Sequence, residues 1–134
     1  MTYSLKLRLL KLMIKAVKFV SIAVRDQDKA LEFYTEKLGF QVLTDQPFDD
    51  QQRWIELRIP GGTETKVVLF TISGHEARIG TSSNITFMAD NVEVTYDELK
   101  KRGVEFSTPP TKQPWGCFAT FRDADGNEFV LSSK

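Results

Sequence analysis

Hydrophobic and polar residues alternate over about residues 16–25, setting Val20, Ile22 and Val24 on one face and Phe19, Ser21 and Ala23 on the other, which is the period of a β-strand. The period then lengthens. Ala30, Leu31, Phe33, Tyr34 and Leu38 fall on one side of a helix over about residues 27–38, which Asp26 can cap and Gly39 can stop. That helix must cover the Val20 face of the strand, leaving the Phe19 face open. Further strands are predicted near residues 40–44, 53–59 and 66–72, with Pro60, Gly61 and Gly62 turning the chain between the last two.

The second half repeats the plan. A strand near residues 82–88, a helix near 92–102 and a short strand at 104–107 follow in order, and at a nearly constant offset Phe19 corresponds to Asn84, Ile22 to Phe87, Val24 to Ala89, Asp26 to Asn91 and Gly39 to Gly103. Pro109, Pro110 and Pro114 predict an extended loop, because proline is excluded from helix interiors and cannot donate to a ladder. Strands at 116–122 and 128–132 close the chain through Asp123-Ala124-Asp125-Gly126-Asn127, a hairpin turn in which glycine supplies positive φ. Two copies of one supersecondary unit give an α+β fold of paired βαβββ modules, and a cleft is expected between them.

The chain has 134 residues, enough for one compact domain and too few for two independent ones, so the repeats are read as halves of a single domain. The first module runs over about residues 15–72, a linker over 73–81 and the second module over about 82–134, with residues 1–14 an extension outside the core. Residues 1–15 hold Lys6, Arg8, Lys11 and Lys15 and no acid, so the remainder is mildly acidic, which argues against nucleic acid as a partner. The extension's leucines are interrupted by these charges, so neither a signal peptide nor a membrane span is predicted. It reads either as a stray extension ahead of Met13 or as a short basic segment touching a membrane; the first reading is favoured, and no membrane partner is expected. The one cysteine, Cys117, cannot form an internal disulfide, which points to a reducing, cytoplasmic setting.

The run Ile22-Ala23-Val24-Arg25-Asp26, then Ala30-Leu31-Glu32-Phe33-Tyr34 and Leu38-Gly39-Phe40, and finally Asp123-Ala124-Asp125-Gly126-Asn127-Glu128-Phe129-Val130-Leu131, resembles the vicinal oxygen chelate superfamily. This group holds glyoxalases, bleomycin resistance proteins, fosfomycin-modifying enzymes and extradiol dioxygenases. The likeness extends from Lys15 to the C-terminus, and Ala124 stands where the family usually has proline. It implies module sheets that curl into an open barrel around a ligand cleft, most often in a homodimer. It says less about chemistry, because one fold hosts many reactions.

The family's metal enzymes place four His or Glu ligands on inward strand positions, which by the resemblance fall here at Phe19, Leu69, Asn84 and Val130. Phenyl, isobutyl and isopropyl groups offer a divalent cation no donor, and Asn84 only a weak neutral oxygen. No metal and no other cofactor is expected, and metal-dependent glyoxalase or dioxygenase activity is disfavoured. The only histidine, His75, lies in a polar loop and reads either as a general base or, preferably, as a solvated side chain. Cys117 reads as a small buried hydrophobe rather than a nucleophile.

Strand alternation leaves Phe19, Ser21, Trp54, Glu56, Arg58, Leu69, Asn84, Thr86, Met88, Phe118, Thr120, Arg122, Glu128 and Val130 for the cleft. Competing structural roles stay open at several of these, Met88 and Phe118 as core, Glu56 with Arg58 as a surface ion pair and Trp54 as a dimer contact. Pro114-Trp115-Gly116 resembles the rim of metal-free, bleomycin-resistance-like relatives, where Trp115 could stack on a ligand or pack against a second subunit. Three functions are compatible with these residues. The favoured one is a metal-free protein that sequesters a small aromatic or amphipathic drug or toxic metabolite. The others are a metal-dependent lyase, isomerase or dioxygenase, and a cofactor-free enzyme with Glu128 or Glu56 as general base.

Overall fold

The protein is described by a computed structural model over residues 3–62 and 64–134; the first two residues of the N-terminal extension lie outside the described residues. The remainder of that extension carries an exposed helix, α1 (Tyr3–Lys11). The first module then comprises β1 (Phe19–Ile22), α2 (Gln27–Glu32) with a π-helical turn (Phe33–Lys37), β2 (Gln41–Pro47), β3 (Arg53–Arg58) and β4 (Lys66–Leu69). After a 3₁₀ turn (Glu76–Arg78) the second comprises β5 (Ser82–Met88), α3 (Val92–Lys101), β6 (Glu105–Gln113), β7 (Gly116–Arg122) and β8 (Glu128–Ser132). Among the described residues no helix is long and apolar enough to cross a membrane.

Each module folds into its own four-stranded mixed sheet, ordered β1-β4-β3-β2 and β5-β8-β7-β6. In both, the first strand pairs in parallel with the last, as the helical crossover requires, and the remaining pairs are antiparallel. The two helices start alike: Asp26 accepts from the Lys29 N–H at 3.1 Å and Asn91 from the Val94 N–H at 3.0 Å. They stop alike at Gly39 and Gly103, with φ of 79° and 87°.

Several elements depart from the sequence expectation. The strands expected over 16–25 and 66–72 pair over shorter spans, because beyond Ile22 the buried Thr71 hydroxyl takes over, accepting from Val24 N–H at 2.9 Å and donating to Val24 C=O at 2.8 Å. The single helix expected over 27–38 is α2 plus the π-helical turn, whose wider winding keeps the adjacent Phe33 and Tyr34 both buried. Pro109 and Pro110 lie in no loop but within β6, while Pro114 falls in the turn that follows it. This strand lies at the edge of its sheet, where a missing N–H breaks no inner ladder, and register shifts on both sides of Thr108 absorb Pro109 and Pro110.

One hydrophobic core runs through both modules. Ile22, Val24, Ile55, Leu57, Val67 and Leu69 from the first sheet and Ala119, Phe121, Phe129 and Leu131 from the second join Ala30, Phe33 and Tyr34 of the first helical segment with Val92 and Leu99 of α3. Tyr34 meets Phe129 edge to face at 6.3 Å, and Phe40 meets Phe87 at 5.8 Å. The β7–β8 turn locks the junction. Its buried Asp123 accepts the Tyr34 hydroxyl at 2.7 Å, its buried Asn127 donates to Ala23 C=O at 2.8 Å, and Asp125 accepts from Arg25 N–H at 2.9 Å.

The turn also holds a liability. The second carboxylate oxygen of Asp125 is buried without a hydrogen-bond partner. Burial raises this carboxyl above its ordinary range, the Arg25 N–H opposes the shift, and Asp123 nearby adds to it. A group that holds its proton more tightly when folded loses stability as pH rises through its two pKa values, and above them the full cost of the charge remains. Asp125→Asn keeps an oxygen for Arg25 and removes the charge. Its melting temperature is expected to exceed that of the unmodified chain at pH 7, with the gap closing below the ordinary carboxylate pKa of about 4. Thermal melts at the two pH values check this, and a gap that is negative, or constant with pH, contradicts it.

Candidate functional site

Packing the helix-bearing faces of both sheets into one core leaves each sheet with a second face turned away from that core. Register fixes its members. In the first sheet Ser21 lies opposite Val68, which lies opposite Glu56, so Ser21, Phe19, Trp54, Glu56 and Arg58 share this face. Leu69 does not. It pairs with Ile22, is fully buried in the core, and leaves its neighbours Val68 and Phe70 to face the other way. A slip of one residue in reading β4 inverts every side chain in it.

The non-core side of the first sheet is an aromatic wall, buried at Phe70, half-buried at Phe19 and Trp54 and exposed at Phe48. Trp54 meets Phe19 edge to face at 5.5 Å, Phe70 at 5.2 Å and Phe48 at 6.1 Å, and Phe48 meets Phe70 at 4.8 Å. The indole N–H donates to Glu56 at 3.2 Å, so the polar edge of the ring is satisfied while part of it stays accessible. Arg58 is exposed and donates to Gln41 on the paired strand. Phe48 and Phe70 were missed by the sequence reading. Phe70 carried a signal, since correct alternation along β4 selects it, whereas Phe48 sits in a turn without periodicity.

The second sheet presents Thr86, Val130 and Thr120, which lie across from one another in β5, β8 and β7. Phe118 belongs to the same face, and Trp115 stacks over it with centroids 6.1 Å apart and an interplanar angle of 24°. Trp115 is 57% exposed and Met88 67%, so neither is core. Glu128 and Glu56, the carboxylates a general base would need, are both engaged: Glu128 accepts from Ser107 at 3.1 Å and pairs with Arg122 at 3.6 Å, and Glu56 holds Trp54. Arg122 also pairs with Glu105 at 3.1 Å. Among the described residues no ring contact or hydrogen bond joins the group around Trp54 to the group around Val130. The predicted residues thus divide between the non-core face of the first sheet, around Trp54, and that of the second, around Val130.

Asn84 stands apart at the sheet junction, with φ of 58°, where Ser82 pairs with Glu128 and Thr86 with Val130 so that β5 bulges between them. It lines a cavity of about 250 Å³ together with Ser21 and Phe70, and with His75 and Arg78 of the linking turn. His75 is half-buried there rather than lying free in a solvated loop. Cys117 is a half-buried free thiol packed against the core.

The positions to which the family resemblance assigns metal ligands thus carry a phenyl ring, a core leucine, an amide and an isopropyl group. Among the described residues no group of three or more His, Cys, Asp or Glu side chains is placed to hold an ion. This donor set does not fit a transition metal.

The fold has known counterparts. The chain is 37% identical over 119 residues to the uncharacterized protein YetH of Bacillus subtilis strain 168, covering 89% of this chain and 98% of that one. A glyoxalase/bleomycin resistance protein/dioxygenase superfamily member from Sphaerobacter thermophilus superposes with a TM-score of 0.81 at 34% identity, covering 91% and 99% of the two chains. TnmS3, an antibiotic binding protein from Streptomyces sp. CB03234, superposes with a TM-score of 0.78 at 34% identity, covering 90% and 97%. The sequence pattern of the Glyoxalase/Bleomycin resistance protein/Dioxygenase superfamily matches residues 16–131, both modules from end to end, and this chain belongs to that family.

Proposed function

We propose that this protein binds a small aromatic or amphipathic molecule, as a metal-free sequestering protein for a drug or toxic metabolite. The observation that carries the reading is the wall of Phe19, Trp54, Phe70 and Phe48, in which Phe70 is buried, Phe19 and Trp54 are half-buried and Phe48 is exposed. Such a wall offers a flat ligand stacking and edge contacts, with Glu56 and Arg58 as polar points that fix orientation. The likeness to an antibiotic binding protein at 34% identity supports the same use of the fold. The lone Cys117, a free thiol, suits a reducing cytoplasm.

The working unit in this proposal is a homodimer. Each sheet ends in unpaired edge strands, β1 and β2 in one and β5 and β6 in the other, and such edges are normally covered. Phe48, Met88 and Trp115 are exposed large apolar groups beside the two non-core faces, and a second copy would bury them. Trp54 and Val130, which lie on the non-core faces of different sheets, would then meet across the interface.

Three outcomes are expected. A flat aromatic compound found by thermal-shift screening should quench tryptophan fluorescence, and Trp54→Ala should weaken its binding by about 1–3 kcal/mol, the scale of a lost aromatic contact; full affinity in that variant would put the ligand elsewhere. Sedimentation at micromolar concentration should return a dimer, and a monomer would remove the composite site. Elemental analysis of protein purified without chelator should find zinc, nickel, manganese and iron far below stoichiometric, and a near-stoichiometric metal would overturn the metal-free reading.

A further inference from the structure

The cavity of about 250 Å³ between the modules is chemically unlike the aromatic wall beside it. Among the described residues its lining contains no acid, while Arg78 brings a guanidinium and His75 an imidazole. Several lining polar groups are already spent within the fold: Ser83 donates to Glu128 C=O at 2.7 Å, Thr81 to Arg78 C=O at 2.7 Å, and the Asn127 amide is fully used between Ala23, Asp123 and Gly80. The side chains of Ser21, His75, Arg78 and Asn84 have no partner among the described residues.

We propose that this cavity is an oxyanion pocket, which takes the carboxylate or phosphate group of a small ligand, with Arg78 as the charged donor and Ser21, His75 and Asn84 as further donors. Arginine presents a planar fork that matches a carboxylate or phosphate, and it cannot lose its charge. Arg78 and Asn84 are open to solvent and Ser21 and His75 half-buried, so an anionic acceptor entering the cavity would meet the guanidinium with three groups beside it that can donate. The four donors come from β1, the linking turn and β5, so the pocket exists only where the modules are docked. Phe70 both lines the cavity and touches Trp54 at 5.2 Å. Resting here on the aromatic-ligand reading above, the pocket would make the preferred ligand an aromatic acid, its ring on the wall and its acid among these donors.

Two arms separate the pocket from the wall. In the first, inorganic phosphate is added at ionic strength matched with sodium chloride. It should raise the melting temperature of the unmodified chain and leave His75→Ala/Arg78→Ala unmoved, with Arg78→Lys, which keeps the charge but not the fork, in between. No shift in the unmodified chain, or an equal shift in the double variant, overturns the pocket. In the second, calorimetry compares 1-naphthoate with 1-naphthamide, which share a ring and differ in charge. The acid should bind at least about tenfold tighter, the scale of one charge-assisted hydrogen bond, and Arg78→Ala should abolish that preference. Equal affinities overturn the aromatic-acid assignment. A phosphate effect that depends on Arg78 without binding of either naphthyl compound upholds the pocket and sinks the aromatic wall. The reverse pattern upholds the wall and sinks the pocket.

Discussion

A carboxylate is buried at the centre of this molecule, and the arrangement of the two modules follows from satisfying it. Asp123 lies in the interior, where an ionised side chain is stable only if its oxygens are fully hydrogen-bonded. One oxygen accepts from the backbone N–H groups of Asp125 and Asn127, both at 2.9 Å. The other accepts from the Asn127 amide at 2.9 Å and the Tyr34 hydroxyl at 2.7 Å. Tyr34 belongs to the first module and the rest to the second. Burial, and then the charge of Asp123, push the phenol well above its ordinary pKa, so Tyr34 stays a proton donor throughout the neutral range. Because a half-satisfied buried network costs more than none, the helix of one module is tied to the hairpin of the other.

That tie decides what the other sheet faces can do. With Tyr34 drawn onto Phe129 and the hairpin turn seated against Ala23 and Arg25, the helix-bearing sides of both sheets close on one core. Their opposite sides must then look outward. A single chain carries an aromatic surface on its first sheet and, on its second, threonines beside Phe118 and Trp115, and in the proposed homodimer the two would meet across the interface. The homodimer is thus proposed on the same geometry as the binding site, and a monomer would leave two shallow faces with apolar groups in water.

The sequence was most legible where backbone chemistry is local. The strands at 116–122 and 128–132 and the caps at Asp26 and Asn91 are set by alternation, side-chain oxygens and glycine stops, all of which act within a few residues. It was less legible where a partner far along the chain decides. Thr71 ends the β1 and β4 ladder early from 47 residues away, and nothing in its local pattern announces this. Leu69 was assigned to the wrong face because its run of apolar residues, Val67 to Phe70, carries no alternation when both sides of a strand are covered. Pro109 and Pro110 read as a loop because their tolerance depends on β6 being an edge, a property of the whole sheet. His75 reads as a solvated loop residue because the cavity it lines exists only once the modules dock.

The internal repeat explains why this chain can divide labour between nearly identical backbones. Register places Ser21, Val68 and Glu56 on the first sheet where Thr86, Val130 and Thr120 stand on the second. The duplicated scaffold therefore supplies equivalent sites, and Glu56, which accepts from the Trp54 indole, stands where the second sheet has the hydroxyl of Thr120. Stability is untouched by this divergence, since the core uses the alternate residues of the same strands, Ile22, Leu57 and Val67 in one and Ala119, Phe121 and Leu131 in the other. The non-core faces are consequently free to vary with the ligand. The residues to which the resemblance assigns metal ligands lie partly on these faces, and Phe19 and Val130 contribute hydrophobic surface there instead. What was a coordination site in metal-using relatives is, by this argument, available as the apolar floor of a binding surface, with selectivity left to the charged groups at its margins.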